Sequence, residues 1–418
     1  MNRHFLSYAA LLSAVALAIS CGKADLGQNG STGDSDPATD IENVLVPIEL
    51  TKAESQVAGS ASAFAFDAYR ALNKDGQMLF SPLSLSLVLS MASCGADGNT
   101  AQEMNRVLGF DGYSAEDIAS YYGKMVSSLS TIDRKTTFES ANSVWIDRNF
   151  AVRKPFLDTV GEHFAAEARN VPLTDPSTLD AINQWCSDNT HGRIEKIFDR
   201  IDPECVMILA NALYFDGQWT YAFNDDTKEA DFTTATGGKV KVDMMSMSRE
   251  LSYSSVDGWS KVDIPYGNMA FMMSVILPPD DIPFSKAAEE FTFDRWNSLL
   301  IGHDCKVNLQ LPEFKFGYNV SGLKDALMDL GMKDAFAESA DFSGIAEIAS
   351  GAEFFIGDVV QKTFIDVNTK GTVAAAVTGG GFTTAVIKNA DFVADRPFFF
   401  LIRETTSNSI LFIGQKVD

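Results

Sequence analysis

Apolar residues recur along the chain at two spacings, and each spacing predicts a different element. Val57, Ala61, Phe64, Ala68 and Leu72 fall at steps of three and four, one face of an amphipathic helix that Asn73, Asp75 and Gly76 bring to an end. A second helical run, 84–92, opens after Ser81-Pro82, where proline at the start of a helix needs no N–H partner. Its Ala and Ser content is that of a fully buried helix. Short stretches rich in Val, Ile, Phe and Leu, at 138–146, 206–215, 270–277, 307–311, 398–403 and 410–414, predict strands. Helices and strands mix without a regular strand–helix–strand repeat, which predicts an α+β fold rather than a doubly wound sheet. No repeat and no Gly/Pro/Ser-rich linker interrupts residues 46–418, so one large domain is expected there.

The beginning of the chain has a different pattern. Arg3 precedes an apolar stretch from Phe5 to Ile19, shorter than the ~20 residues that span a bilayer, and Ser20-Cys21-Gly22 follows with the small residues of a cleavage point. Residues 1–20 therefore read as a signal peptide rather than a permanent transmembrane helix. Ala18-Ile19-Ser20-Cys21 resembles a bacterial lipobox, which implies acylation of Cys21 as the new N-terminus. Residues 21–45 are rich in Gly, Ser, Asp and Asn, too polar to offset ordering entropy by burial, and read as a flexible tether. The expected location is the cell envelope, with membrane contact through the lipid alone, facing either the periplasm or the exterior.

Composition excludes more than it assigns. Of 418 residues, 46% are hydrophobic and 21% charged, ordinary for a globular core, while a net charge of −23 with no Lys/Arg run argues against nucleic acid. Cys94, Cys186, Cys205 and Cys305 are scattered without a C-x-x-C spacing and read as buried free thiols, although an oxidising compartment permits a disulfide. His163, His191 and His303 stand in no metal-ligand spacing, so neither a metal nor a cofactor is expected. The chain has no nucleophile elbow, P-loop or dinucleotide fingerprint. Ser321-Gly322-Leu323-Lys324 has an S-x-x-K pattern, but its partner signatures are missing and a plain helix start is the better reading. No enzyme is expected.

One segment stands apart. From Lys370 to Asn389 the chain is small and nearly uncharged, about 20 residues between two strand-like segments, a length that inside a compact domain is usually functional or disordered. Alternation along a strand would place Thr372, Ala374, Ala376, Thr378 and Gly380 on one face. All are small, so that face could enter an existing core without introducing bulk or charge. Gly371 permits a chain reversal at the pivot.

Gly371-Thr372-Val373-Ala374-Ala375-Ala376-Val377-Thr378 resembles the proximal hinge of the serpins, E-x-G-T-x-A-A-A-x-T. The similarity runs in order along 46–418: Phe80-Ser81-Pro82-Leu83-Ser84, Asn211-Ala212-Leu213-Tyr214-Phe215-Asp216-Gly217-Gln218-Trp219, Leu311-Pro312-Glu313-Phe314, and Arg396-Pro397-Phe398 through Ile413-Gly414. The resemblance implies an α+β serpin fold, with a large mixed β-sheet core, surrounding helices and an exposed reactive-centre loop. It further implies a monomeric suicide inhibitor of serine-type proteases that traps the acyl-enzyme by inserting the cleaved loop into the main sheet. Ser81, Pro82, Asn211, Trp219 and Gln361 would support that sheet from below and at its top. The family's 14-residue spacing from Gly371 places the scissile bond at Ala385-Val386, with Lys388 as the alternative. Thr383 to Val386 suit a shallow, elastase-like specificity pocket. The 14 steps span about 46 Å of extended chain, against a domain diameter of ~50 Å.

The chain departs from the family pattern at several places. Thr369 stands where a Glu is usual, Val373 where Glu is frequent, and Gln361 where the family has a His; an amide still both donates and accepts, so a bond from Gln361 toward Asn211 is expected without pH sensitivity. Gly379-Gly380-Gly381 is a poor strand former that would slow insertion. The alternative to an inhibitor is a non-inhibitory serpin that acts as a binding or carrier protein.

Overall fold

The computed structural model describes residues 43–73, 76–349, 352–369 and 389–418, which belong to one body, Asn43–Asp418. The predicted hinge, Gly371 to Thr378, the Ala385-Val386 bond and Cys21 lie outside the described residues.

In chain order the elements begin with α1 (Lys52–Leu72), β1 (Met78–Phe80), α2 (Pro82–Ser93), α3 (Gly98–Leu108), α4 (Ala115–Leu129), β2 (Thr136–Asp147), β3 (Ala151–Val152), α5 (Lys154–Phe164), β4 (Ala166–Val171) and α6 (Pro176–Asp188). There follow β5 (Met207–Gly217), β6 (Lys228–Thr233), β7 (Lys239–Val256), β8 (Trp259–Tyr266), β9 (Phe271–Leu277), α7 (Phe284–Glu290) and α8 (Phe293–Leu300). The chain closes with β10 (His303–Pro312), β11 (Phe314–Val320), α9 (Leu323–Leu330), β12 (Ala346–Glu347), β13 (Asp358–Val367), β14 (Asn389–Val393), β15 (Phe398–Glu404) and β16 (Ile410–Lys416).

Local chemistry explains the two helices foreseen in the apolar pattern. Thr51 and Glu54 form a reciprocal capping box at the start of α1: the Thr51 hydroxyl accepts from the Glu54 N–H at 3.2 Å and the Thr51 N–H donates to the Glu54 carboxylate at 2.7 Å. Val57, Ala61, Phe64, Ala68 and Leu72 are all buried on its inner face. Ser81 caps α2, accepting from the Ser84 N–H at 3.2 Å, and Pro82 occupies the first turn. Every residue from Pro82 to Ala92 is buried, because α2 runs through the middle of the core.

The strands form two large sheets. One has the order β1-β16-β15-β9-β8-β7-β10-β14, with β6 paired to β7; the other, the main sheet, has five strands in the order β11-β13-β5-β2-β4. Within the main sheet β5 and β13 are parallel neighbours, while β11 runs antiparallel to β13 and β2 antiparallel to β5. Alternation divides β5 between two cores: Met207, Leu209 and Leu213 face the large core, whereas Ile208, Ala210 and Ala212 face a smaller one with Trp145, Trp185, Ile194 and Phe198. The mixed sheets and surrounding helices are the α+β architecture expected from the sequence.

Ser321-Gly322-Leu323-Lys324 is a helix start. Gly322, with φ at +80°, precedes α9, and the Lys324 ammonium lies over the Phe336 ring. The four cysteines are free, and burial pushes the thiols of Cys94, Cys186 and Cys205 up to about 11.

Candidate functional site

The site is the seam between β5 and β13. Ladder pairing joins Asp358–Gln361 to Ile208–Asn211 over four residue pairs, although β13 continues to Val367 and β5 to Gly217. Beyond Gln361 and Asn211 the strands part around a cavity of about 250 Å³, lined by Phe215, Trp219, Tyr266, Phe364, Ile402 and Phe412 among others. The chain leaves β13 at this wide end. A segment returning from Val367 would run antiparallel to both β13 and β5, the geometry of a new central strand.

Gln361 closes the lower end of the seam. Its Oε1 accepts from the Ser81 N–H at 2.7 Å, and its Nε2 donates to the Ser81 carbonyl at 3.0 Å and to the Ser84 hydroxyl at 3.2 Å. This corrects the bond expected toward Asn211, although the two residues are paired in the backbone ladder. The physical reason is the buried N-terminus of α2, whose orphan N–H requires a partner that the Gln361 amide supplies. Asn211 turns instead to Asn142, donating to its Oδ1 at 2.6 Å, and Asn142 donates to the Phe164 carbonyl at 3.2 Å. The Oδ1 of Asn211 is buried without a partner among the described residues.

Trp219 closes the upper end. Its indole N–H donates to the Asn368 carbonyl at 2.9 Å, its ring stacks on Tyr266 with centroids 4.2 Å apart, and Phe223 packs edge-on. Thr369, in the place of the usual Glu, gives its backbone N–H to the Glu313 carboxylate at 3.4 Å. On the outer face the connector after α6 crosses the seam. The Lys362 ammonium donates to the Lys196 carbonyl at 2.6 Å, Arg193 lies over the Phe364 ring, and His191 contacts Glu139 at 2.7 Å. Beside them the Asp366 carboxyl, although raised by burial, is held below its ordinary range by hydrogen bonds from Lys315 and Asn368.

Of the residues named from the sequence, Ser81, Pro82, Asn211 and Gln361 meet at the lower end of the seam, and Trp219 stands just past the upper end of β5, which lies about 20 Å beyond Asn211. Asn142, Tyr266 and Asn368 had escaped notice. The signal for Asn142 was weak, since Ser140 and Ser143 stand beside it in the strand, and its partner Asn211 lies 69 positions away.

A family model described as Serpin (serine protease inhibitor) matches residues 59–418. An uncharacterized serpin-like protein of Thermococcus kodakarensis is 33% identical, covering 87% of this chain and 86% of the relative. The leukocyte elastase inhibitor of Sus scrofa is 30% identical, covering 86% of this chain and 98% of that protein. Among solved structures, a thermophilic serpin, tengpin, in the native state superimposes with a TM-score of 0.80 at 30% identity, covering 90% of this chain and 97% of that one. The chain belongs to the serpin family.

Proposed function

We propose that the chain is a suicide inhibitor of elastase-like serine endopeptidases, cut at Ala385-Val386 and trapping the acyl-enzyme as the loop enters the seam between β5 and β13. The observation that carries this reading is the seam itself, paired over four residues and open above them, with the chain leaving β13 at the open end. The small residues Thr372, Ala374, Ala376 and Thr378 fit such an entry, since neither bulk nor charge would be buried. Membership of a family described as serine protease inhibitors, and a relative named leukocyte elastase inhibitor, support the target class.

Incubation with an elastase tests the reading by denaturing electrophoresis and mass spectrometry. A complex that survives denaturation, with release of a C-terminal fragment beginning at Val386, is expected. Ala385→Arg should shift trapping toward trypsin by tenfold or more, because the residue before the cut fills the protease's specificity pocket. Complete cleavage without a complex for every protease tried would overturn the inhibitory reading. A fragment beginning at Asn389 would overturn only the bond assignment.

We further propose that the protein is a bacterial lipoprotein, acylated at Cys21 and held to the envelope membrane by residues 21–45. Cys21→Ser should release it from the membrane fraction with trapping intact; membrane association unchanged in that variant would remove the claim.

A further inference from the structure

The upper end of the seam is tied to Asn43, nine residues before α1, by a continuous set of contacts. Asn43 donates from Nδ2 to the Asp133 carboxylate at 2.7 Å, and its Oδ1 accepts from the Arg134 N–H at 3.2 Å. Asp133 is only 5% exposed, and its two oxygens also accept from the Lys135 N–H at 3.0 Å, the Thr136 hydroxyl at 2.6 Å and the Asn268 N–H at 3.3 Å. The turn between β8 and β9 is fitted to this carboxylate. Gly267 has φ at +48°, and a Cβ there would sit 1.7 Å from the Asp133 Oδ2, so only glycine allows the approach. The same turn holds the tryptophan. The Gly267 N–H donates to the Gln218 carbonyl at 2.7 Å, the Thr220 hydroxyl donates to the Gly267 carbonyl at 3.0 Å, and Tyr266 carries the stacked Trp219 ring. Trp219 in turn holds the Asn368 carbonyl at the exit of β13.

We infer that Asn43 is a positioning residue for loop insertion: through Asp133 and the Gly267 turn it keeps Trp219 on Asn368, the bond that bridges the open upper end of the seam, until the loop is cut. This rests on the proposed insertion mechanism. The physical warrant is that a segment entering beside β13 must pass the Trp219–Asn368 bond at its exit, so whatever holds Trp219 in place biases that entry. Removing the Asn43 amide takes one of the donors from a buried carboxylate and frees the turn that carries the tryptophan.

The test is Asn43→Ala in the full chain, with Asn43→Asp as a second variant that sets a carboxylate against Asp133. Amide hydrogen exchange at 217–220 and 366–369 should rise at least fivefold in both, and more in Asn43→Asp. The fraction of elastase trapped rather than released should rise with it, because insertion starts from a loosened seam. A residue that only stabilised its own surroundings would speed exchange at 133–136 and 267–268 and leave the seam unchanged. That result overturns the inference, as does faster exchange at the seam without any change in trapping. A wild-type chain that traps no protease would instead overturn the inhibitory reading.

Discussion

Thr372→Arg is expected to leave cleavage of the loop intact and to turn the proposed inhibitor into a substrate. The cavity that would receive the loop is floored by Phe215, Ile402 and Phe412, and the nearby Asp366 carboxylate is already paired with Lys315 at 2.7 Å. A guanidinium on the inserting face would leave water for a floor of aromatic and aliphatic side chains, at a cost of several kcal/mol. Trapping is a race between insertion and hydrolysis of the acyl-enzyme, and each ~1.4 kcal/mol added to the insertion barrier slows it tenfold. Even ~3 kcal/mol reduces insertion by more than a hundredfold, so hydrolysis wins. Titration of active protease against inhibitor measures the outcome, and at least ten variant molecules should be consumed per protease blocked. A wild-type ratio would mean that residue 372 does not enter the core.

Cutting the loop between Gly379 and Val386 with a protease that is not itself trapped should raise the melting temperature by more than about 10 °C. Once cut, the segment can pair with both β5 and β13 above Gln361 and Asn211, where those strands have no ladder between them. About ten ladder bonds at ~1 kcal/mol each add on the order of 10 kcal/mol. Unfolding entropy of ~2.1 cal/mol/K per residue over about 370 residues converts that into roughly 13 °C. A gain on this scale after cleavage requires the uncut form to be held by a kinetic barrier, consistent with an intact lower seam and a Trp219 lock above. Calorimetry of the cut and uncut forms decides the point: an unchanged or lower melting temperature would mean that the loop stays outside the sheet.

Strands whose stabilisation is internal to the fold were hard to foresee. β8 reads Trp259-Ser260-Lys261-Val262-Asp263-Ile264-Pro265-Tyr266, and its two charges break the apolar run that would mark a buried strand. In the fold Lys261 is fully buried, 2.5 Å from Asp263, which also pairs with Arg403 of β15 at 3.2 Å, while both cations lie near the Trp296 ring. Burial disfavours the charged Lys261 and lowers its pKa, and Asp263 opposes that shift. Such a cluster is tolerated because its members satisfy one another across strands remote in sequence.

The linear chain by itself determined what depends on local order. It set the 3.6-residue face of α1, the capped α2 with its buried Leu and Ser pattern, the short apolar strands, and the small residues of the segment after β13. Ordered motifs from Phe80 to Gly414 determined the family on the same linear basis. Tertiary structure decided where polar groups go, because a buried donor or acceptor takes whichever partner the packing brings near. Gln361 and Asn211 illustrate it: the ladder sets them side by side, yet the buried N-terminus of α2 claims the first and Asn142 the second. The same holds for Asn43, which the sequence placed in a polar tether and the fold sets against Asp133, 90 positions away.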